Sequence, residues 1–284
     1  MAQDAWKRAR QASDFSIFEP LLAKTVDLKR REAEIVGPAA HLYDNLLDSF
    51  EPGLTVDVLT PIFDRLRTGT VALLAEITPK QDTVSDDVLY RSYNGDAQLA
   101  SATKIITTLG FDMNTGRVDL SAHPFCTSFG STDVRLTTRI RENALRSCLF
   151  GLIHEAGHGM YEQGVGTDLA RTFSGQGASM GIHESQSLFW ENVIARSEEF
   201  WSWAFPQLRD AFPDQLKDQD VRSFYRAINK MRPSLNRVES DELTYNLHII
   251  LRFEIERDLI AGTLEVKDIP KRWNEKMEAA LGVV

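Results

Sequence analysis

The sequence predicts a mainly α-helical fold with a small antiparallel β-sheet. In most of the chain, apolar residues recur at steps of three and four positions among charged residues, which is the pattern of amphipathic helices. Only residues 111–139 combine alternating apolar residues with turn residues, as strands do. No repeat, low-complexity tract or linker divides the 284 residues, so we expect a single domain over residues 1–284.

Nine segments have a helical pattern. They span residues 5–35, 41–50, 55–77, 96–109, 143–163, 184–204, 218–231, 239–261 and 268–281. Gly37-Pro38 ends the first segment, because proline cannot continue a helix. Gly110 ends the fourth, because glycine readily adopts the left-handed conformation that follows many helices.

Residues 111–139 predict the sheet. Asn114-Thr-Gly116 is a turn between Phe111–Met113 and Arg117–Leu120, and this order predicts a β-hairpin. Asp133–Arg139 alternates like a third strand. The predicted sheet therefore lies immediately before the helix at 143–163.

Charge and composition argue against several classes of protein. A net charge of −9 without a basic stripe disfavours a nucleic-acid partner, because binding to phosphates needs clustered Lys and Arg. The segment after Met1 is charged and amphipathic, so we expect no secretory signal; no run approaches the ~20 apolar residues of a membrane span, so we expect no membrane partner. Cys126 and Cys148 are too few for a disulfide framework and indicate free thiols in a cytoplasmic, reducing compartment.

Two histidines and a glutamate in the helix at 143–163 form the most informative pattern. His154 and His158 are four residues apart, so they lie on one helical face and can each offer a ring nitrogen to one ion. Helical histidines bind Zn²⁺ in this way, and catalytic zinc sites have three protein ligands and a water of lowered pKa. Glu155 would then face that water as general base.

Three carboxylates compete to be the third ligand. Glu184 opens the next predicted helix and is our first choice, since the intervening loop lets that helix pack antiparallel to the first. Glu191, two turns later, is the alternative. Glu162 shares the face of the histidines but would place the three ligands in a line instead of a tetrahedral cluster. We therefore expect Glu162 to support a metal ligand by hydrogen bonding and not to bind the metal itself. The loop Gly164–Gly181 contains five glycines, and we expect it to be mobile.

Several stretches together resemble a known family. They are His123-Pro124-Phe125, Asp133-Val-Arg135-Leu-Thr137, His154-Glu155-Ala-Gly-His158, His183-Glu184-Ser185-Gln186, and Arg237-Val-Glu-Ser-Asp241 followed by Glu242-Leu-Thr-Tyr245-Asn-Leu-His248. They resemble the carboxypeptidase Taq family of HEXXH metallocarboxypeptidases over essentially the whole chain. The resemblance implies a zincin-like, nearly all-helical fold with a deep groove beside the sheet. It also implies one divalent metal (Zn²⁺, or Co²⁺ in some members), peptide substrates with a free C-terminus, and commonly a homodimer.

The resemblance also suggests substrate-binding residues. Arg237, in the arginine motif of the family, is the first candidate to bind the C-terminal carboxylate, because the guanidinium fork matches two oxygens. Arg135 is the second candidate, and pairing of Arg237 with Asp241 is the structural alternative. The candidates for stabilising the developing oxyanion or packing beside it are Tyr245, His248 and His123.

The sequence departs from the family in two respects. Asn236 and Ser240 replace a usual aliphatic residue and a usual alanine, and the family's C-terminal Gln-Asp-x-His-Trp motif has no counterpart after Val284. We therefore expect a short or truncated member that binds metal but trims peptides poorly unless a partner chain completes the groove. Two alternatives stay open, namely a non-catalytic metal-binding remnant and an endopeptidase with the same metal centre.

Overall fold

The computed structural model describes residues 2–283, except for the side chains of Asp82 and Glu239. Its helices are α1 (Ala2–Ala12), α2 (Glu19–Val36), α3 (Asp44–Leu47), α4 (Val56–Ile77), α5 (Gly95–Leu109), α6 (Leu145–Gln163), α7 (Met180–Leu188), α8 (Glu198–Ala211), α9 (Pro213–Leu216), α10 (Val221–Ile228), α11 (Glu242–Ala261) and α12 (Ile269–Leu281). The strands are β1 (Gly116–Leu120), β2 (Phe125–Ser128) and β3 (Val134–Thr138). A mainly helical fold with a small sheet is therefore confirmed.

The chain divides into two compact units, residues 1–79 with 231–284, and residues 80–230. In the first unit, α11 packs against α2, α4 and α12. The apolar residues of this core include Val26, Leu247, Leu251, Ile255 and Met277. The single catalytic domain over residues 1–284 stays a prediction.

The N-terminal helix predicted for residues 5–35 is wrong in one respect, because α1 and α2 are separate helices. Ser13 has a positive φ of 51° after the end of α1. The carboxylate of Asp14 then accepts a hydrogen bond from the Ser16 amide and caps a 3₁₀ turn, Phe15–Ile17. Pro20 lies in the first turn of α2, where its missing N–H costs nothing, whereas it would remove a hydrogen bond in the interior of one continuous helix.

The sheet of the second unit has the strand order β1-β3-β2. β3 pairs in parallel with β1 and antiparallel with β2, whereas we expected an antiparallel sheet throughout. The predicted hairpin before β1 is wrong, since Phe111 is buried in the core and leads into a turn. In that turn, Asp112 Oδ1 accepts a hydrogen bond from the Asn114 amide.

The second helix of the predicted site is shorter and starts earlier than expected. α7 begins at Met180, because Ser179 caps it by accepting a hydrogen bond from the Ile182 amide. A π-helical segment, Phe189–Ile194, follows directly. Ser197 then caps α8, so the continuous helix predicted for 184–204 is wrong. The preceding loop contains a 3₁₀ turn, Phe173–Gly175, and its mobility stays a prediction.

Both cysteines are free thiols, as expected. Burial raises the pKa of Cys126 to about 12 and that of Cys148 to about 11, so neither is a thiolate at neutral pH. Over the described part of the chain, no helix combines the length and the apolar character needed to cross a bilayer.

Candidate metal centre

Helices α6 and α7 bring the two histidines and the first-choice carboxylate together. The rings of His154 and His158 lie on one face of α6, with their centroids 5.0 Å apart. Glu184 Oε2 lies 3.2 Å from His158 Nε2 and 3.7 Å from His154 Nε2. One ligand atom from each of the three residues lies within 4.8 Å of the other two. These three side chains could therefore bind one ion together.

The separations fit a tetrahedral metal site. With metal–ligand bonds of about 2.0–2.1 Å, two ligand atoms at neighbouring corners of a tetrahedron are about 3.3–3.4 Å apart. The two measured N···O separations, 3.2 and 3.7 Å, bracket this value. Two imidazole nitrogens and one carboxylate oxygen are also a donor set that suits Zn²⁺ and similar transition metals. The residues present therefore fit a divalent metal.

Gly157 allows α7 to approach α6 closely enough for this arrangement. A Cβ atom at this position would lie 2.6 Å from Ser187 Cα and 2.7 Å from the carbonyl oxygen of Gln186. Both neighbours are backbone atoms, so a change of rotamer could not relieve the clash. The glycine between the two histidines therefore sets the distance between the helices that carry the candidate ligands.

Glu191, the alternative third ligand, contacts the opposite side of the His154 ring. Its Oε2 lies 2.8 Å from His154 Nδ1, whereas Glu184 lies on the Nε2 side. Glu191 is carried by the π-helical segment, a rare conformation that occurs frequently at functional sites. A carboxylate in this position orients the imidazole ring and fixes which nitrogen carries the proton.

The His158 ring has a different neighbour, which the sequence analysis missed. His158 Nδ1 lies 2.6 Å from His183 Nδ1, and His183 Nε2 lies 2.7 Å from Glu162 Oε1. Glu162 also accepts a hydrogen bond of 2.7 Å from Ser128 Oγ. Glu162 thus lies behind His183, consistent with the outer position expected for it. The adjacency of His183 and Glu184 in the sequence was the available signal, but it does not reveal which side chain His183 contacts.

Glu155 is buried next to the ligand cluster, with a relative exposure of 7%. Burial is the main reason that its pKa rises to about 7, with His154 opposing the shift and Glu184 adding to it. Burial also opposes ionisation of Glu184, but its hydrogen bond with His158 and the charge of His154 outweigh burial and lower its pKa. The site thus combines an ionised carboxylate for a metal with one suited to proton transfer near neutrality.

The sequence model of the carboxypeptidase Taq (M32) metallopeptidase family matches residues 1–284. The chain belongs to this family. It is 42% identical over 282 residues to carboxypeptidase 1 of Bacillus subtilis, and 40% identical over 291 residues to thermostable carboxypeptidase 1 of Thermus thermophilus. These alignments cover 99% of the chain but 56% and 57% of the relatives.

Solved structures of carboxypeptidases also match the fold of this chain. The M32 carboxypeptidase of Deinococcus radiodurans R1 superposes with a TM-score of 0.95 at 40% identity, and a carboxypeptidase of Pyrococcus furiosus with 0.94 at 37%. Each match covers 99% of the chain, and 56% and 57% of the respective relatives. The predicted family is therefore confirmed, and the chain spans somewhat more than half the length of these carboxypeptidases.

Two of the substrate-binding candidates lie in the second unit. Arg135, on β3, forms two hydrogen bonds of 2.8 Å with Asp133, and its Cζ lies 5.0 Å from the ring centroid of Phe129. Its guanidinium therefore already has a carboxylate partner. His123 Nδ1 lies 2.7 Å from the carbonyl oxygen of Pro124. The charge of His123 is one of the smaller factors that oppose the rise in the pKa of Glu155.

The other three candidates belong to the first unit. Arg237 Nη1 donates a hydrogen bond of 2.9 Å to Tyr245 Oη. Asp241, the alternative partner of Arg237, instead caps α11, where its oxygens accept hydrogen bonds from Leu243, Thr244 and the Arg232 amide. His248 is fully buried, and neither ring nitrogen has a hydrogen-bond partner among the described residues. Burial, followed by the charge of Arg252, lowers the pKa of His248.

Proposed function

We propose that this chain carries the catalytic centre of a metal-dependent carboxypeptidase that releases amino acids from the free C-terminus of peptides. The observation that carries the proposal is the convergence of His154, His158 and Glu184 beside the buried Glu155. Membership of the M32 family supports it, as do relatives at about 40% identity that are named carboxypeptidases.

His154 and His158, through Nε2, and Glu184, through its carboxylate, would hold one divalent metal. We propose Zn²⁺ first, since imidazole and carboxylate ligands at these separations suit its tetrahedral preference, with Co²⁺ as the alternative. When bound, such a metal supplies Lewis-acid polarisation of the scissile carbonyl and lowers the pKa of water.

Glu155 is the proposed general base. Its carboxylate takes a proton from the attacking water, which leaves hydroxide to add to the carbonyl carbon. It then passes that proton to the amine of the departing amino acid, so the carboxylate is regenerated. The burial of Glu155 limits its access to bulk water and raises its pKa to about 7, which suits a group that takes up and returns a proton.

Arg237 is the proposed binding group for the C-terminal carboxylate of the substrate. Its hydrogen bond to Tyr245 holds the guanidinium without neutralising its charge, and the planar fork of a guanidinium matches the two oxygens of a carboxylate. Arg135 is the weaker candidate because Asp133 already binds it. Tyr245 and His123 are proposed to contact substrate, whereas the full burial of His248 supports a packing role.

We also propose a homodimer in the cytoplasm. The homodimer is supported by the family resemblance alone, and sedimentation of the purified chain tests it. The cytoplasmic location is supported by the two free thiols, Cys126 and Cys148, which suit a reducing compartment.

Metal analysis combined with mass spectrometry of peptide products tests the main proposal. The chain is freed of metal with a chelator, loaded with Zn²⁺ or Co²⁺, and incubated with one peptide as the free acid and as the C-terminal amide. We expect one metal per chain and a slow, stepwise loss of single C-terminal residues from the free acid only, since the sequence predicts poor trimming in the absence of a partner chain. Internal fragments from both peptides would identify an endopeptidase, and one bound metal without any turnover would identify a non-catalytic metal-binding protein.

A further inference from the structure

A chain of four hydrogen-bonded side chains ends on the ring of His158. It runs from Ser128 on β2 to Glu162 on α6, then to His183 on α7, and back to His158 on α6, with contacts of 2.7, 2.7 and 2.6 Å. We propose that His183 is a positioning residue that fixes the orientation and tautomer of His158 and thereby strengthens metal binding. This inference rests on the proposed metal centre and adds a role for a residue outside its ligand set.

The donor and acceptor roles along the chain follow from the chemistry of its groups. A carboxylate only accepts hydrogen bonds, so the Ser128 hydroxyl and His183 Nε2 are the donors to Glu162. In a neutral His183 the other nitrogen, Nδ1, is then an acceptor, and the proton between the two histidines belongs to His158 Nδ1. His158 Nε2 is left with its lone pair, and this is the nitrogen 3.2 Å from Glu184.

The surroundings of His183 hold its ring in this position. The ring makes an edge-to-face contact with Tyr161 at a centroid distance of 5.0 Å. The hydroxyl of Tyr161 also accepts a hydrogen bond of 3.1 Å from the Ala178 amide, so the end of the loop before α7 packs on the same aromatic pair. The side chains of His183 and Glu162 are 25% and 18% exposed, so water has limited access to compete for their hydrogen bond.

His183 and Glu184 are consecutive residues, so one turn of α7 would supply both a metal ligand and the group that orients another ligand. His154 is supported differently, by direct contact with the carboxylate of Glu191. Outer contacts of this kind typically change metal affinity by about 10–100-fold when they are removed. We expect the same range for His183, although the carboxylate behind it, Glu162, reaches His158 only through the His183 ring, whereas Glu191 contacts His154 directly.

Competition with a zinc chelator measures the role of His183. His183→Phe keeps the ring shape without either nitrogen and should weaken Zn²⁺ binding about 10–100-fold. His183→Asn places an amide oxygen near the position of Nδ1 and should recover part of that loss. His41→Phe is the matched control, since His41 pairs with Asp57 in the other unit and should leave Zn²⁺ affinity unchanged.

The wild-type protein provides a second measurement that does not depend on variants folding. In zinc-loaded protein with ¹⁵N-labelled histidine, we expect NMR to show a proton on His158 Nδ1 and coupling through the hydrogen bond to His183 Nδ1. Unchanged affinity in His183→Phe, or a proton on His183 Nδ1 instead, would overturn the positioning role and leave the metal centre intact. Failure of the wild-type chain to bind Zn²⁺ would instead overturn the proposed function itself.

Discussion

The α6–α7 region and the start of α11 both carry polar residues that the sequence singles out, but they use them differently. In the α6–α7 region, His154, His158 and Glu184 direct ligand atoms toward one another. At the start of α11, Arg237 and Tyr245 bond to each other, and Asp241 is used to cap the helix. The first region thus brings three candidate metal ligands together next to a buried carboxylate. The second contains a guanidinium that bonds to a phenol and a carboxylate that caps a helix.

The largest effect should come from Glu155→Gln. The amide keeps the size of the side chain but cannot take a proton from water, so kcat should fall by about 10³-fold or more. Metal content should stay at the wild-type level, because Glu155 is not among the three convergent ligands. Steady-state kinetics and metal analysis on the same preparation check this, and full activity would exclude Glu155 as the base.

Removal of a ligand should cost metal binding as well as turnover. His158→Ala and Glu184→Ala each remove one of three protein–metal bonds, so we expect a loss of Zn²⁺ affinity above the ~10²-fold limit typical of outer contacts. Glu191→Ala should stay within about 10–100-fold, because Glu191 contacts His154 on Nδ1. Chelator competition measures all three, and tighter binding by Glu184→Ala than by Glu191→Ala would reverse the two assignments.

A substitution near the start of α11 should weaken substrate binding and leave metal binding unchanged. Arg237→Gln removes the charge proposed for the C-terminal carboxylate and should raise KM about 10–100-fold, since a hydrogen bond between charged groups contributes about 1.5–3 kcal/mol. Zn²⁺ affinity should not change. Arg135→Gln is the matched control and should have a smaller effect, because Asp133 already binds Arg135. An equal effect of the two variants would remove the preference for Arg237.

The smallest predicted effect is on the pH dependence of the stability of the first unit. Glu254 bonds to Arg67 and, at 2.6 Å, to Lys276; these hydrogen bonds lower its pKa although burial opposes the shift. The pKa of a glutamate in the unfolded chain is about 4.3. Because the pKa of Glu254 is lower in the folded state, its ionised form stabilises the fold at pH values above about 4.3, and this stabilisation is lost as the pH falls through the folded-state pKa. Urea unfolding should therefore show a steeper loss of stability below about pH 4 in the wild type than in Glu254→Gln. Parallel pH curves for the two proteins would contradict this.

The convergence of the candidate metal ligands could be predicted because it depends mainly on local geometry. His154, Glu155 and His158 lie within two turns of one helix, where spacing alone decides which side chains share a face. Glu184 required only that the next helix pack against the first, which the intervening loop allows. The contact of His183 with His158 was not predictable, because it depends on how closely α7 packs on α6.

The errors in the predicted fold have two causes. Some arise from contacts between residues that are distant in the sequence, and others arise from local helix caps. β2 was missed because Phe125–Ser128 has no alternation of its own and is defined by pairing with β3. The parallel pairing of β1 with β3 also depends on the order of strands in space. The breaks at Ser13 and Ser197 arise where a backbone conformation or a hydroxyl cap interrupts an otherwise helical pattern of apolar residues.

The close contact at Gly157 is expected to make the proposed metal site selective for ions of a certain size. Because α6 and α7 touch backbone to backbone at this residue, the gap between Glu184 and the two histidines is fixed by main-chain dimensions. A gap of this size suits the bonds of about 2.0–2.2 Å that Zn²⁺ makes to nitrogen and oxygen. Ca²⁺ is disfavoured by the donors, because it prefers a shell of oxygen ligands and two of these three groups are imidazoles. An added methyl group in Gly157→Ala would push the helices apart and shift the selectivity toward larger cations, which competition between Zn²⁺ and Cd²⁺ would measure. The absence of a side chain at Gly157 thus determines how closely the three candidate ligands can approach one ion.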